Sequence, residues 1–213
     1  MPNTLPIHTS QAHATIRAMS GATPISALST HTTALIVIDF QNEYFNGRMP
    51  LPDADKALNN ARTLIAWADE NKLPVLHVQH IAPAGSAVFA TDGTTVQFHS
   101  LMQPRAQDLV VQKDNVSVFV GTDVDAQLRS RNVDTLVIAG LMTHACVAGA
   151  ARDAAPRGYH VVVASDASAT RDITRANGES VDNTALHEGA LAEIEDTFGD
   201  VLTTAQILQL PLR

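Results

Sequence analysis

The stretch "DTLVIAGLMTHACVAGAARD", residues 134–153, decides the fold. After Asp134 it runs largely apolar and rich in β-branched side chains, without polar alternation, which is the pattern of a strand covered on both faces. An Ala-rich segment of helical character follows from about residue 146. A strand that passes within a few residues into a helix is half of a βαβ unit, and repeated units of that kind build parallel sheets. Between the two halves lies Cys146, the one cysteine in the chain.

The same alternation recurs on both sides. "TALIVIDF" (33–40) reads as a strand, residues 53–71 place Ala57, Leu58, Ala61, Leu64, Ile65 and Ala68 at helical spacing, and "PVLHVQ" (74–79) returns to strand. "DLVVQK" (108–113), a helix around 123–131, "HVVVASD" (160–166), a helix around 183–197 and "DVLTT" (200–204) complete the series. These elements predict an α/β three-layer, Rossmann-like fold, a mainly parallel sheet between helices. Residues 31–213 then form a single domain. Residues 1–30 lack periodicity and are expected to form an N-terminal arm or extension, which could be mobile or wrap a neighbouring subunit.

Composition excludes several classes of function. The chain has 213 residues, 14 Lys plus Arg against 22 Asp plus Glu, and a formal charge of -8. Its basic residues are scattered, so no nucleic-acid surface is expected. No apolar run approaches the roughly 18 residues of a membrane span. A single cysteine forms no internal disulfide, and the first 30 residues do not read as a signal peptide. Both point to a reducing, cytoplasmic setting.

Right-handed crossovers put the C-terminal ends of parallel strands along one rim, where ligand sites of open α/β sheets gather. Asp39 closes "LIVID", Lys113 closes "LVVQK" and Cys146 follows "LVIAG" after a short loop. Their chemistry is complementary: a thiol for attack, a carboxylate to take its proton, a lysine to hold the carboxylate and offset negative charge. A nearby cation and a helix N-terminus, with Thr143 as its cap, are expected to lower the thiol pKa. Taken singly, each residue also has a structural reading: a buried cysteine as a small hydrophobe, an aspartate as a turn cap, a lysine as solvated surface.

Three further stretches carry a family resemblance. "VIDFQNEYF" (37–45), "VVQKDNVSVFVGTDVDAQLRSRNVDTLVIAGLMTHACV" (110–147) and "ARDAAPRGYHVVVASDASATRD" (151–172) together resemble the isochorismatase-like cysteine hydrolases, which include nicotinamidases, N-carbamoylsarcosine, ureidoacrylate and maleamate amidohydrolases, and isochorismatases. The ordered patterns D-x-Q-N, K-x-x-x-S-x-F and G-x-x-T-x-x-C-V carry it. The resemblance implies a six-stranded sheet and a catalytic triad of Asp39, Lys113 and Cys146. It also implies a cis peptide at Leu141-Met142, with the backbone N–H groups of Met142 and Cys146 as an oxyanion hole. The activity it implies is hydrolysis of a C–N bond through a thioester. Isochorismate-type cleavage of a vinyl ether, which needs no thiol, and a non-catalytic binding protein stay open as alternatives.

Gln41, Tyr44, Phe45, Phe119, Leu141 and His144 are candidates for the substrate pocket. Nicotinamidases place Asp-x-His and a further His after the second strand to hold a metal. Here the strand reads "HVQHIAPAGSAVF" (77–89), with no acidic residue before Asp92. His77 and His80 lie three apart on a strand and so face opposite ways. No metal and no cofactor are expected. An arginine near the rim could bind a substrate carboxylate in bidentate fashion, but the sequence does not select which arginine, if any, does so. Arg152, Asp153, Asp166, Arg171 and His187 read as structural. A small-molecule substrate and a homo-oligomer, dimer or tetramer, complete the expectation.

Overall fold

The computed structural model describes residues 13–213. In chain order its elements are α1 (Ile16–Met19), β1 (Thr33–Ile38), α2 (Ala54–Glu70), β2 (Val75–His80), β3 (Leu109–Lys113), α3 (Val124–Arg129), β4 (Thr135–Leu141), α4 (Ala148–Ala154), β5 (His160–Ala169), β6 (Ile173–Thr174), β7 (Ser180–Val181), α5 (Asn183–Thr197), β8 (Asp200–Leu202) and α6 (Thr204–Gln209). Six strands form one sheet in the order β3-β2-β1-β4-β5-β8, with every neighbouring pair parallel. The α/β fold is therefore as the apolar runs indicate.

Both faces of the sheet are covered. Leu35 and Val37 of β1 pack with Leu58, Leu64 and Trp67 of α2, whereas Ile36 and Ile38 join Leu128 of α3, Ala151 of α4 and Ile194 of α5. All six residues of β1 are buried, which is why this strand shows no polar alternation. On α2 the buried positions Ala57, Leu58, Ala61, Leu64 and Ala68 form one helical stripe. Truncating the fully buried Leu64 to Ala would cost about 2 to 5 kcal/mol, the usual range for a core leucine.

Three boundaries differ from the expectation, one of them that of β5, which runs on past Asp166 to Ala169. The turn carrying Cys146 is already helical from Thr143, as a π-turn over Thr143–Val147 that leads into α4. The last strand stops at Leu202 because Thr203 caps α6, a short helix the sequence reading leaves out. Thr203 Oγ1 accepts from the Gln206 N–H at 3.2 Å and Gln206 Oε1 accepts from the Thr203 N–H at 2.8 Å, a reciprocal capping box.

Residues 13–30 lie against the sheet's far end. The Leu28 N–H donates to Pro211 O and the Arg213 N–H to Leu28 O, both at 2.9 Å, and the Ile25 N–H donates to Asp200 Oδ2 at 3.1 Å. Residues 1–12 of the expected arm fall outside the described residues. Among the described residues no helix is long and apolar enough to cross a membrane.

Strand order also fixes where a site can form. From β1 the chain moves outward through β2 to β3, then returns to β4 and moves the other way through β5 to β8. The crevice at such a reversal, beyond the strand C-termini, is the ligand position of open α/β sheets. Gly140 stands at this point because a Cβ there would come within 2.6 Å of Ile38 Cβ.

Candidate active site

Four adjacent strands each deliver one side chain to the rim. Lys113 ends β3, His80 ends β2, Asp39 follows β1, and Cys146 sits one helical turn beyond β4. Lys113 Nζ lies 2.7 Å from Asp39 Oδ2, 2.9 Å from His80 Nδ1 and 3.4 Å from Cys146 Sγ. Atoms of Asp39, His80 and Cys146 lie within 4.8 Å of one another, with the ammonium of Lys113 within 3.4 Å of all three residues. Asp39, Lys113 and Cys146, some 107 residues apart at the extremes, are thus brought together.

Asp39 occupies the left-handed region at φ 56°, where a non-glycine residue carries strain of about 1 to 3 kcal/mol and where such strain collects at functional sites. The conformation ends the strand and keeps the backbone bonded: the Asp39 N–H donates to Val78 O at 3.0 Å. The side chain is fully buried. Neither carboxylate oxygen receives an aligned hydrogen bond, although Lys113 neutralises the charge at ion-pair distance. A buried carboxylate with unused acceptor capacity beside a thiol is a proton acceptor in waiting.

Burial alone would push the Lys113 ammonium down. Asp39 and Cys146 beside it outweigh burial and hold its pKa above the ordinary lysine range. Lys113 therefore stays charged throughout the physiological range.

Cys146 departs from the expectation of a lowered pKa. Burial, followed by the charge of Asp39, pushes the thiol up to about 12, and the opposing pull of Lys113 is smaller. At rest the sulfur is a thiol. The expected cap differs too. Thr143 does not cap the turn; Thr143 Oγ1 bonds to His187 Nδ1 at 2.8 Å, and the cap position falls to Met142 without a side-chain bond. His187, read as structural, is therefore tied to the turn that carries Cys146. The Leu141-Met142 peptide is cis.

The other candidate residues take varied places. Gln41 is fully buried and spends its amide on backbone: Nε2 donates to His80 O at 2.8 Å and Val96 O at 2.6 Å, and Oε1 accepts from the His80 N–H at 2.8 Å. It is a clamp on the end of β2. Tyr44 is buried edge-on to Phe89, with ring centroids 5.4 Å apart. Burial, then Cys146 and Asp39, raise its phenol pKa well above the usual value. Phe45 stacks on His99. Phe119 is buried against Tyr159, and Leu141 is fully buried in the core. His144 is half-buried with Nδ1 at 2.6 Å from Thr170 Oγ1; burial first, and the charge of Arg171 second, lower its pKa.

Two further residues at or beside the rim have no such place in the sequence reading. His80 was weighed only as a metal ligand, but it shares the Lys113 side of the sheet and its Cα pairs in register with that of Lys113. Glu43 is a buried carboxylate that accepts from the Arg48 N–H at 2.6 Å and from Thr95 Oγ1 at 2.5 Å, joining the loop after β1 to the long loop before β3. Neither has a signal in the sequence: the pairing of His80 with Lys113 depends on the register of β2 against β3, and a lone Glu in a loop stands out from nothing.

The isochorismatase domain matches residues 33–206. The chain belongs to the isochorismatase family. It is 34% identical to an uncharacterised isochorismatase-family protein of Bacillus subtilis over 84% of this chain and 99% of that one. It is 27% identical to a maleamate amidohydrolase of Pseudomonas putida, over 83% and 85%. The crystal structure of an isochorismatase from Pseudomonas putida superposes with a TM-score of 0.86 at 29% identity, covering 92% of this chain and all of that one. This isochorismatase-family hydrolase thus shares its fold with its relatives, and the matched domain spans Asp39, Lys113 and Cys146.

Proposed function

We propose that this isochorismatase-family protein is a cysteine amidohydrolase that cleaves a C–N bond of a small amide or carbamoyl compound through a thioester. One observation carries the reading: a buried carboxylate, Asp39, neutralised by Lys113 but with acceptor capacity unspent, lies beside the lone thiol. Similarity to a maleamate amidohydrolase supports it.

In this mechanism Asp39 takes the proton of Cys146 as the sulfur attacks the carbonyl carbon. The high thiol pKa means that no free thiolate accumulates; the proton moves as the C–S bond forms. The N–H groups of Met142 and Cys146 receive the tetrahedral oxyanion. When the C–N bond breaks, the leaving nitrogen takes the proton from Asp39. Water then gives a proton to Asp39 and adds to the thioester, and the departing sulfur recovers that proton as the acid is released. Lys113 stays charged and fixes Asp39.

Arg171 supports a substrate with an anionic end. Its Nε is buried without an acceptor, its Nη1 donates to Asp172 O at 3.1 Å, and its charge reaches both Tyr44 and His144. A carboxylate would supply the missing acceptor.

The test is ammonia release from a panel of small amides, each with and without a carboxylate. Cys146→Ala is expected to lose at least about 10³-fold in kcat on the best substrate. Full turnover by that variant would overturn the reading, and pyruvate formed from isochorismate in its presence would favour vinyl-ether hydrolysis instead. Arg171→Gln should raise KM roughly tenfold for carboxylate-bearing amides and leave neutral ones unchanged.

A further inference from the structure

The Lys113 ammonium offers three N–H donors and, in this protein, meets three side-chain partners: Asp39 Oδ2 at 2.7 Å, Cys146 Sγ at 3.4 Å and His80 Nδ1 at 2.9 Å. The first two belong to the proposed chemistry. The third has no assigned role, and the fold goes to some length to present it. β2 and β3 pair with His80 opposite Lys113, so both side chains rise from the same face of neighbouring strands.

The imidazole is held from two further sides. Gln41 grips the His80 backbone through both its N–H and its carbonyl. Phe89 packs on the ring at a centroid distance of 4.8 Å. Phe89 itself sits at φ 56°, a genuine outlier for a bulky aromatic residue, and is buried between His80 and Tyr44. Strain of that kind persists where surrounding structure enforces it, and it collects around functional sites.

An ammonium has donors only, so the atom that faces it must present a lone pair. Nδ1 is therefore unprotonated and the neutral ring carries its proton on Nε2. Burial, then the charge of Lys113, hold His80 below the ordinary histidine range, with Asp39 and Asp114 pulling weakly the other way. The neutral form that the geometry demands is the form present at neutral pH.

We propose that His80 is a positioning residue whose Nδ1 lone pair holds the Lys113 ammonium between Asp39 and Cys146, and that protonation of this imidazole releases the ammonium and switches the nucleophile off. An imidazolium at Nδ1 would set N–H against N–H at 2.9 Å, a like-charge contact that the buried site cannot screen. The groups facing His80 are Lys113 from β3, Asp114 just beyond it, Asp39 from β1 and Cys146 from the turn after β4. This inference rests on the reading of Cys146 as nucleophile.

The experiment is the rate of Cys146 alkylation by iodoacetamide from pH 5 to 9, read by intact mass; with one cysteine in the chain, a single adduct reports the site. His80→Asn keeps an acceptor near the Nδ1 position but does not titrate. It should alkylate within about threefold of wild type at pH 7.5 and lose one acid-side ionisation from the profile. His80→Leu, with no acceptor, should slow by roughly tenfold or more, the usual scale for a hydrogen bond to a charged group. If His80→Leu does not fold, His80→Gln, whose acceptor reaches the Nε2 position instead, asks the same question and should resemble the expected Leu result. Equal rates and profiles in wild type, Asn and Leu, or in wild type, Asn and Gln, would overturn the proposal. Lys113→Met is the control for the underlying reading. Slowing by Lys113→Met without slowing by the His80 variants removes His80 alone, whereas no slowing by Lys113→Met removes the assembled nucleophile itself and the proposal with it.

Discussion

His77 and His80 lie on the same strand, three residues apart, each beside a carboxylate and a cation, yet they build opposite kinds of cluster. His77 Nε2 lies 3.3 Å from Asp108 Oδ2, and Asp108 is already saturated: the Arg105 N–H and Nε reach Oδ2 at 2.8 and 2.9 Å, and Arg105 Nη2 reaches Oδ1 at 2.8 Å. Arg105 also pairs with Asp69. On the other face, Asp39 has only the Lys113 ion pair. A saturated carboxylate is inert, and that of Asp108 sits below the ordinary range because its Arg105 bonds overcome burial. An unsaturated one keeps the lone pairs that proton transfer needs. The difference between scaffold and site lies in spare acceptor capacity, since burial is shared.

The widest gap between the clusters is expected on removing the cation. Lys113→Met leaves Asp39 buried and unpaired, and it should cost about 3 to 5 kcal/mol in urea unfolding as well as nearly all turnover. Asp108→Asn should cost less, about 1 to 3 kcal/mol, because it weakens bonds to a partly exposed arginine. Turnover per folded molecule should stay within about twofold. Loss of turnover in Asp108→Asn at full folding would erase the distinction.

pH sharpens the comparison further. Burial first of all lowers His77, although Asp108 opposes it, and lowers His80, His144 and His187 as well. A histidine depressed in the folded state binds its proton more readily when unfolded. Its contribution is fully present above the unfolded value of about 6.5 and is lost as pH falls toward the folded value. The thermal midpoint should therefore fall as pH drops below about 6.5, and His77→Gln should flatten that slope while leaving the acid limb of alkylation unchanged. The smallest effect belongs to the exposed pair of Arg152 with Glu193: Arg152→Ala should move stability by less than about 1 kcal/mol.

The meeting of Asp39, Lys113 and Cys146 was legible in sequence because strand ends are. Runs such as "LIVID", "LVVQK" and "LVIAG" mark where parallel strands stop, and the reactive residues stand at or just past those stops. The helix over 183–197 was legible for a similar reason: Leu191 and Ile194 recur at helical spacing after the Asp182 cap. Gln41 and Phe119 were less so. An amide and an aromatic after a strand suit a pocket wall or a core equally, and here Gln41 ties down backbone while Phe119 packs on Tyr159.

By itself the sequence determined the α/β class and the three residues at the strand ends, because periodicity and the order of apolar runs are properties of the chain alone, while its ordered motifs carried the resemblance to the family. Tertiary structure decided the rest. It raised the thiol pKa, because burial and the nearness of Asp39 outweigh Lys113. It gave His80 to the ammonium and His77 to Asp108, because strand register, which no local pattern encodes, chooses each side chain's neighbour. And it left the Arg171 Nε buried without a hydrogen-bond partner, because such a group exists only once the chain has closed around it.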